Sequence, residues 1–168
     1  MWQTAGRWAL ALAVLVVLLA LSALPLEIAH LGEVRPAFML MAVYYWTILR
    51  PSPFLPLAVF VIGLVLDLLS AHPFGMHALI FVAAQWISSG QRRFFLGQSF
   101  LVVWAGFALI ALGAGLVQWG LFSLFNMSLL SMKAMLISVL LSTLLFPLLV
   151  WPLSLVHKAL VEDPSSVA

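Results

Sequence analysis

Cysteine is absent from this sequence, and charged residues are scarce. The missing thiols exclude disulfide bonds, thiolate metal sites and a cysteine nucleophile. Only 7% of the 168 residues are Asp, Glu, Lys or Arg, whereas soluble domains carry about 25%. An ordinary soluble domain is therefore excluded. With 65% hydrophobic residues and a mean hydropathy of +1.23, the composition predicts an integral membrane protein.

Several kinds of chemistry are disfavoured by what the sequence lacks. The largest basic cluster is Arg92-Arg93, so nucleic-acid binding is not indicated. No HExxH zinc motif occurs, and His72 and His77 flank Pro73 instead of sharing one helix turn. Asp67 has no second carboxylate in the apolar segments with which to form an acid–base dyad. We therefore predict no metal, no cofactor and no catalytic residue.

Six apolar segments follow one another in one predicted transmembrane domain covering residues 1–168. The predicted helices cover about residues 8–24, 36–49, 54–71, 74–90, 98–122 and 133–157. The first exceeds the core of a signal peptide, about 7–15 residues, and is expected to be retained. The second is shorter than the roughly 20 residues that cross a bilayer. The polar stretch from Leu26 to Arg35 between them is expected to be a loop.

The distribution of basic residues predicts the orientation in the membrane. Six spans place both termini on the same side. With cytoplasmic termini, most of the basic residues lie inside, namely Arg7, Arg50, Arg92, Arg93 and Lys158, whereas Arg35 and Lys133 lie outside. The positive-inside rule therefore favours a multi-pass protein with cytoplasmic N- and C-termini.

Asp67 is the one charged residue within a long apolar run. A charge at the centre of a membrane helix costs about 2.5–3.5 kcal/mol on insertion scales, so such a residue has a partner or a function. One hypothesis is an ion pair with Arg35, which the predicted topology places at a similar depth. A second is a structural cap on the turn from Ser70 to His72. A third is ligand or proton handling.

Small residues recur every seven positions in the fifth predicted helix, at Ser99, Gly106, Gly113 and Gly120. Seven residues are close to two helical turns, so these residues form one stripe. Small residues let membrane helices approach closely. The stripe is thus a possible helix-packing interface, and the sequence leaves open whether it packs inside the bundle or against a partner helix.

Aromatic residues cluster near the predicted span ends. Tyr44, Tyr45 and Trp46 lie together in the second helix. Four tryptophans mostly lie near predicted span ends, namely Trp2, Trp8, Trp86 and Trp151. Because tryptophan and tyrosine are enriched at membrane interfaces, we interpret all of them as interfacial anchors.

The stretch from residue 35 to 79 resembles the family of the rod shape-determining protein MreD. The residues that carry the resemblance are Arg35, Pro36, Tyr45, Trp46, Pro51, Gly63, the run Leu66-Asp67-Leu68-Leu69-Ser70, Gly75, Ala78 and Leu79. Chain length and the six-span pattern also fit the family, but the second half is similar in hydropathy alone. The chain departs from the family pattern at Ala71, at the turn His72-Pro73-Phe74, and in its acidic end, Glu162-Asp163.

The resemblance implies a non-catalytic component of the bacterial cell-elongation machinery in the inner membrane. Implied partners are the single-span protein MreC, the actin-like MreB filament, and the RodA polymerase with its elongation transpeptidase. The resemblance also implies an all-helical fold similar to the substrate-binding subunits of energy-coupling-factor transporters.

From the residues together with the resemblance, we predict a scaffold that binds a partner's transmembrane helix through one exposed helix face. The alternative is a small-solute binding or transport subunit, with Arg35, Asp67 and His77 lining a pocket. Such a pocket should measure about 300 Å³ or more.

Overall fold

The computed structural model describes residues 2–23, 26–28, 32–49, 56–70, 73–125, 127 and 132–161, with the side chains described from residue 13 to 155 outside the gaps and the hairpin. These ranges contain six helices and a two-stranded sheet: α1 (Trp2–Ala23), β1 (Leu26–Ile28), β2 (Gly32–Val34), α2 (Phe38–Leu49), α3 (Pro56–Ser70), α4 (Met76–Phe95), α5 (Phe100–Phe125) and α6 (Met132–Val161). A predominantly helical fold is therefore confirmed.

The polar stretch after α1 differs from the predicted loop. β1 and β2 pair antiparallel, with Leu26 opposite Val34 and Ile28 opposite Gly32. Pairing satisfies backbone N–H and C=O groups that a loop would leave to water.

Helix α4 also runs further than predicted, past 90 to Phe95. Arg92 in its last turn donates from Nε to the carbonyl oxygen of Ile48 at 2.9 Å. Ile48 lies in the last turn of α2, where carbonyl groups lack a partner within the helix. A basic side chain is favourable at such an end, so Arg92 makes a contact between α4 and α2.

Helix α2 is the centre of the structure. Every side chain from Met39 to Ile48 is buried, and α1, α4, α5 and α6 all pack against this helix. A helix that is apolar on every side is stable where other helices enclose it. Because protein surrounds α2, its short length need not match the hydrocarbon thickness of a bilayer.

The aromatic residues of α2 belong to the core, and their predicted role as interfacial anchors is wrong. Tyr44, Tyr45 and Trp46 are 1%, 6% and 3% exposed. The ring of Tyr44 packs edge-on against Phe146 with centroids 5.9 Å apart, and its hydroxyl donates to the carbonyl of Val103 at 2.9 Å. The central position of α2 keeps these side chains away from the surface. 

Tryptophans on the outer helices behave differently from those aromatic residues. Trp86 of α4 and Trp151 of α6 are 78% and 71% exposed. Their exposure is compatible with the predicted contact with the membrane interface.

Helices α3 and α4 approach each other closely along one face of α3. Val59, Gly63 and Asp67 are spaced four residues apart, share that face and are buried. A Cβ atom added to Gly63 would lie 2.4 Å from the Cα atom of Ala78. Glycine at this position therefore sets the distance between the two helices.

Two helices are long and apolar enough to cross a membrane, over Phe100–Phe125 and Met132–Leu155. Shorter apolar helices cover Ala13–Ala23, Phe38–Ile48 and Pro56–Ser70. These segments fit the predicted membrane protein, and six membrane spans remain a prediction.

Replacement of Gly63 by alanine tests the close contact between α3 and α4. The added methyl group meets backbone atoms of α4, so we expect the variant to lose about 1–3 kcal/mol of unfolding free energy, as is usual for overpacking. Gly90 of α4 is the matched control, because a Cβ there would meet nothing within 4 Å. Gly90→Ala should raise stability slightly, since alanine favours helix more than glycine does. Thermal unfolding in detergent measures both, and an unchanged midpoint for Gly63→Ala would contradict the close contact.

Candidate functional site

The carboxylate of Asp67 binds the first turn of α4. It accepts hydrogen bonds from the backbone N–H groups of Gly75 at 2.9 Å and His77 at 3.0 Å, and it lies 2.7 Å from Nδ1 of His77. Asp67 is only 1% exposed. A helix N-terminus carries unpaired N–H groups and a partial positive charge, so it stabilises a buried anion. Asp67 therefore caps α4 from the neighbouring helix.

Gly75 gives the chain the conformation that this cap requires. Its backbone has φ of 92° and ψ of −4°, in the left-handed region, which side chains other than glycine adopt only with strain. This turn points the N–H of Gly75 at Oδ2 of Asp67. The Gly75 of the sequence motif is thus explained by the geometry of the cap.

His77 extends the contact from α4 to α5. Because the carboxylate of Asp67 can only accept, Nδ1 of His77 carries the proton of that bond, and in the neutral ring Nε2 then accepts. The side-chain amide of Gln118 in α5 lies 3.5 Å from Nε2. Asp67, His77 and Gln118 therefore form a polar chain across three helices.

Arg35 lies at the same end of the bundle, but the hypothesised ion pair between Arg35 and Asp67 is not formed. Among the described residues, the side chain that pairs with the carboxylate of Asp67 is that of His77. Nη1 of Arg35 instead contacts the carbonyl oxygen of Ser70 at 3.3 Å, at the last residue of α3. The carboxylate is already occupied by the first turn of α4, and the guanidinium binds the carbonyl end of α3, where a cation is favoured.

The N-terminus of α2 is capped by serine side chains from distant helices. Ser22 of α1 accepts from the N–H of Met39, and Ser142 of α6 accepts from the N–H of Ala37, both at 2.9 Å. Sequence reasoning missed Ser22 and Ser142. Their signal was the presence of a hydroxyl group in an otherwise apolar helix, where a buried polar group requires a partner.

A small cavity lies among these caps. Its volume is about 60 Å³, and the side chains lining it include Arg35, Ser70, His77, Gln118 and Ser138. This volume holds about two water molecules at roughly 30 Å³ each. It lies well below the roughly 300 Å³ of ordinary small-molecule pockets.

The remaining motif residues divide between the core and the surface. Pro36 and Ser70 are buried, whereas Leu68 is 65% exposed. Leu68 follows Asp67 directly, so it points away from α4 and towards the surface of the bundle. His72 lies outside the described residues.

The stripe of small residues on α5 does not act as one surface. A Cβ atom on Gly106 would lie 2.5 Å from the ring of Phe95, whereas one on Gly113 or Gly120 would meet nothing within 4 Å. Ser99 precedes α5 and is exposed. The neighbours of α5 differ along its length, so Gly106 packs against Phe95 and Tyr44 near the start of the helix, whereas Gly113 lies on the surface.

The hydrogen bonds at the Asp67 end of the bundle are directed at the ends of helices α2, α3 and α4. No group of three or more His, Cys, Asp or Glu residues that could hold a metal ion occurs within the described residues. The hydrogen bonds of Asp67 and His77 are directed at α4 itself and at Gln118. Of the three hypotheses for Asp67, the capping role is the one that this geometry supports, with the first turn of α4 as the capped element.

Substitutions at Asp67 and His77 test the cap as a graded series. Asp67→Ala removes the acceptor of two backbone N–H groups and of the imidazole, and buried donors left unpaired cost about 1–3 kcal/mol each. His77→Ala keeps its backbone N–H and loses only the side-chain bond. We therefore expect the thermal midpoint in detergent to fall most for Asp67→Ala, less for Asp67→Asn, and least for His77→Ala.

Ser89→Ala is the control for that series, because Ser89 is exposed and bonds only within its own helix. A midpoint for Asp67→Ala equal to that of Ser89→Ala would rule out the cap.

Comparison with known proteins agrees with the sequence motif. The model of the rod shape-determining protein MreD matches residues 3–156 of the 168. This range includes the Asp67 cap, Gly63, Gly75 and all of α5. No curated protein and no solved structure matches the chain. Since the family match extends over most of the sequence, the chain belongs to the MreD family of rod shape-determining membrane proteins.

Proposed function

We propose that this chain is a non-catalytic scaffold of the bacterial cell-elongation complex in the inner membrane. It binds the transmembrane helix of MreC and links MreC to MreB, RodA and the elongation transpeptidase. Membership of the MreD family supports the role in cell shape. The partners, the inner-membrane location and the likeness to the substrate-binding subunits of energy-coupling-factor transporters are parts of the proposal.

The outward glycine at position 113 is the observation that carries the scaffold mechanism. A glycine inside a helix costs about 0.5–1 kcal/mol relative to alanine. Close packing explains Gly106 and Gly115, whose added Cβ atoms would meet Phe95 and Val139. Gly113 is exposed and has open space at its Cβ position. A partner helix approaching this face would use the missing side chain.

The surroundings of Gly113 suit a helix from the membrane. Leu109, Leu112, Leu116 and Val117 are 72%, 37%, 46% and 53% exposed, and Gly120 leaves a second gap one heptad further along α5. A surface with small residues between larger apolar ones accepts the ridges of a second helix. The proposed docking surface is this outer face of α5, from Leu109 to Gly120.

The orientation in the proposal follows from the charges at the two ends of the bundle. Arg92 and Arg93 lie at the end of α4, and the positive-inside rule makes that end cytoplasmic. The opposite end of α4 faces the periplasm in the proposed orientation. His77 lies at that end, and Asp67 and Arg35 lie beside it. A scaffold of this kind offers MreC a lateral surface within the membrane and leaves both termini in the cytoplasm.

The small-solute alternative is not favoured by a specific observation. The polar cavity at the Arg35 end has a volume of about 60 Å³, and Asp67 and His77 are engaged in capping α4. The scaffold is therefore the function that the geometry supports best.

Replacement of Gly113 by leucine tests the proposed docking surface. The added side chain enters open space, so the variant should keep the thermal midpoint of the native protein. It fills the gap that a partner helix would use, and we expect copurification of MreC from membranes to fall at least about fivefold, which corresponds to roughly 1 kcal/mol of binding free energy.

Gly90→Leu is the matched control, because Gly90 is also exposed with open space at Cβ but lies on α4. Photocrosslinkers at Leu109 and Leu116 of α5 should capture MreC, and crosslinkers at Leu140 and Leu148 of α6 should capture less. Unchanged MreC recovery with Gly113→Leu, together with no crosslinks from α5, would refute the docking surface on α5.

A further inference from the structure

A second cavity lies at the opposite end of the bundle, where α4 turns into α5. Its volume is about 190 Å³, and it is lined mainly by apolar side chains from α2, the turn, α5 and α6, including Ile48, Phe95, Phe100, Val103 and Val150. Leu96 and Phe100 are 46% and 48% exposed, so the rim of the cavity reaches the protein surface. In a membrane protein, this surface is in contact with lipid.

Tyr45 places a polar group beside this apolar cavity. It lines the cavity and is 6% exposed. Its neighbour Tyr44 donates to the carbonyl of Val103, whereas the hydroxyl of Tyr45 makes no hydrogen bond in the part of the chain that the structure describes. The buried oxygen atoms without a partner belong to Gln85 and Ser123, so the Tyr45 hydroxyl keeps accessible surface, and a ligand in the cavity with an oxygen acceptor would give it a partner.

Two arginines place positive charge at this end of the bundle, in the last turn of α4. Nε of Arg92 binds the carbonyl of Ile48, and Ile48 itself lines the cavity. The Nη groups of Arg92 make no hydrogen bond with any described residue. Arg93 is exposed and follows directly in the same turn of α4. Guanidinium groups bind phosphate oxygens strongly, often with two hydrogen bonds.

We propose that this cavity binds an anionic phospholipid. One acyl chain occupies the apolar space between α2, α5 and α6, and the ester or phosphate oxygens receive the hydroxyl of Tyr45 and the guanidinium groups of Arg92 and Arg93. The combination of apolar volume, a hydroxyl that lines the cavity without a protein partner and two nearby cations matches the three parts of such a lipid. Basic sites at the ends of membrane helices are known to bind anionic head groups.

Native mass spectrometry of the full chain in detergent tests the lipid site. The probes are phosphatidylglycerol, phosphatidylcholine with the same acyl chains, and glycerol phosphate, which has the head group alone. We expect one retained phosphatidylglycerol, several-fold less phosphatidylcholine, and no retained glycerol phosphate. Equal retention of the two phospholipids would show a non-selective lipid shell and would overturn the proposal.

Two variants locate the bound lipid. Tyr45→Phe removes only the unpartnered hydroxyl, so the thermal midpoint without lipid should be unchanged, whereas phosphatidylglycerol retention should fall about three- to tenfold, the effect of one hydrogen bond. Val150→Phe fills the cavity and should abolish retention. Leu148→Phe, on the exposed side of α6, is its control and should retain lipid as the native protein does.

The result with Tyr45→Phe decides the proposal even where Val150→Phe fails to fold. Native levels of phosphatidylglycerol on Tyr45→Phe would place the lipid elsewhere on the protein. If Val150→Phe folds, keeps the lipid and loses MreC in membrane pull-downs, the cavity receives a protein side chain and the lipid assignment is wrong.

Discussion

The structure depends on how the ends of its helices are hydrogen-bonded. In water, solvent pairs with the free N–H and C=O groups of a helix end, but inside an apolar bundle the protein itself must supply these partners. Asp67 caps the start of α4, and Ser22 and Ser142 cap the start of α2. Arg35 and Arg92 reach the carbonyl ends of α3 and α2. Each contact joins one helix to another helix or to the segment that directly precedes α2. The caps therefore hold the bundle together as well as completing the helices.

These caps explain how the shortest helix can occupy the centre. An isolated helix the length of α2 is marginal in water, and in lipid its unpaired ends would be costly. Enclosure by α1, α4, α5 and α6 buries every side chain from Met39 to Ile48, and the serine and arginine contacts supply hydrogen-bond partners at both ends. The outer helices then remain available for lipid and for partners. Exposed apolar side chains therefore lie on the outer helices, such as Leu109 of α5 and Leu148 of α6.

The glycines of this chain occupy three different physical settings. Gly63 allows close backbone contact between α3 and α4, and Gly75 supplies the left-handed turn of the Asp67 cap. Gly113 does neither, because it faces outward into open space. The seven-residue spacing predicted a stripe of small residues through Gly113. It could not show which of these residues face the interior of the bundle and which face its surface. That distinction depends on which neighbours α5 has along its length.

The amino-acid sequence by itself determined the membrane class, the six helices and the motif that places the chain in its family. These properties can be read from short stretches of sequence, because they depend on the hydropathy of each segment and on the identity of single residues. The tertiary structure alone decided which helix is central, that Tyr44 and Tyr45 lie in the core, and that Asp67 binds α4 instead of Arg35. Such outcomes require groups far apart in sequence to meet, as when Ser142 accepts the N–H of Ala37 across 105 residues. A carboxylate in an apolar segment of the sequence predicts that the group has a partner, but the packing of the helices determines which residue that partner is.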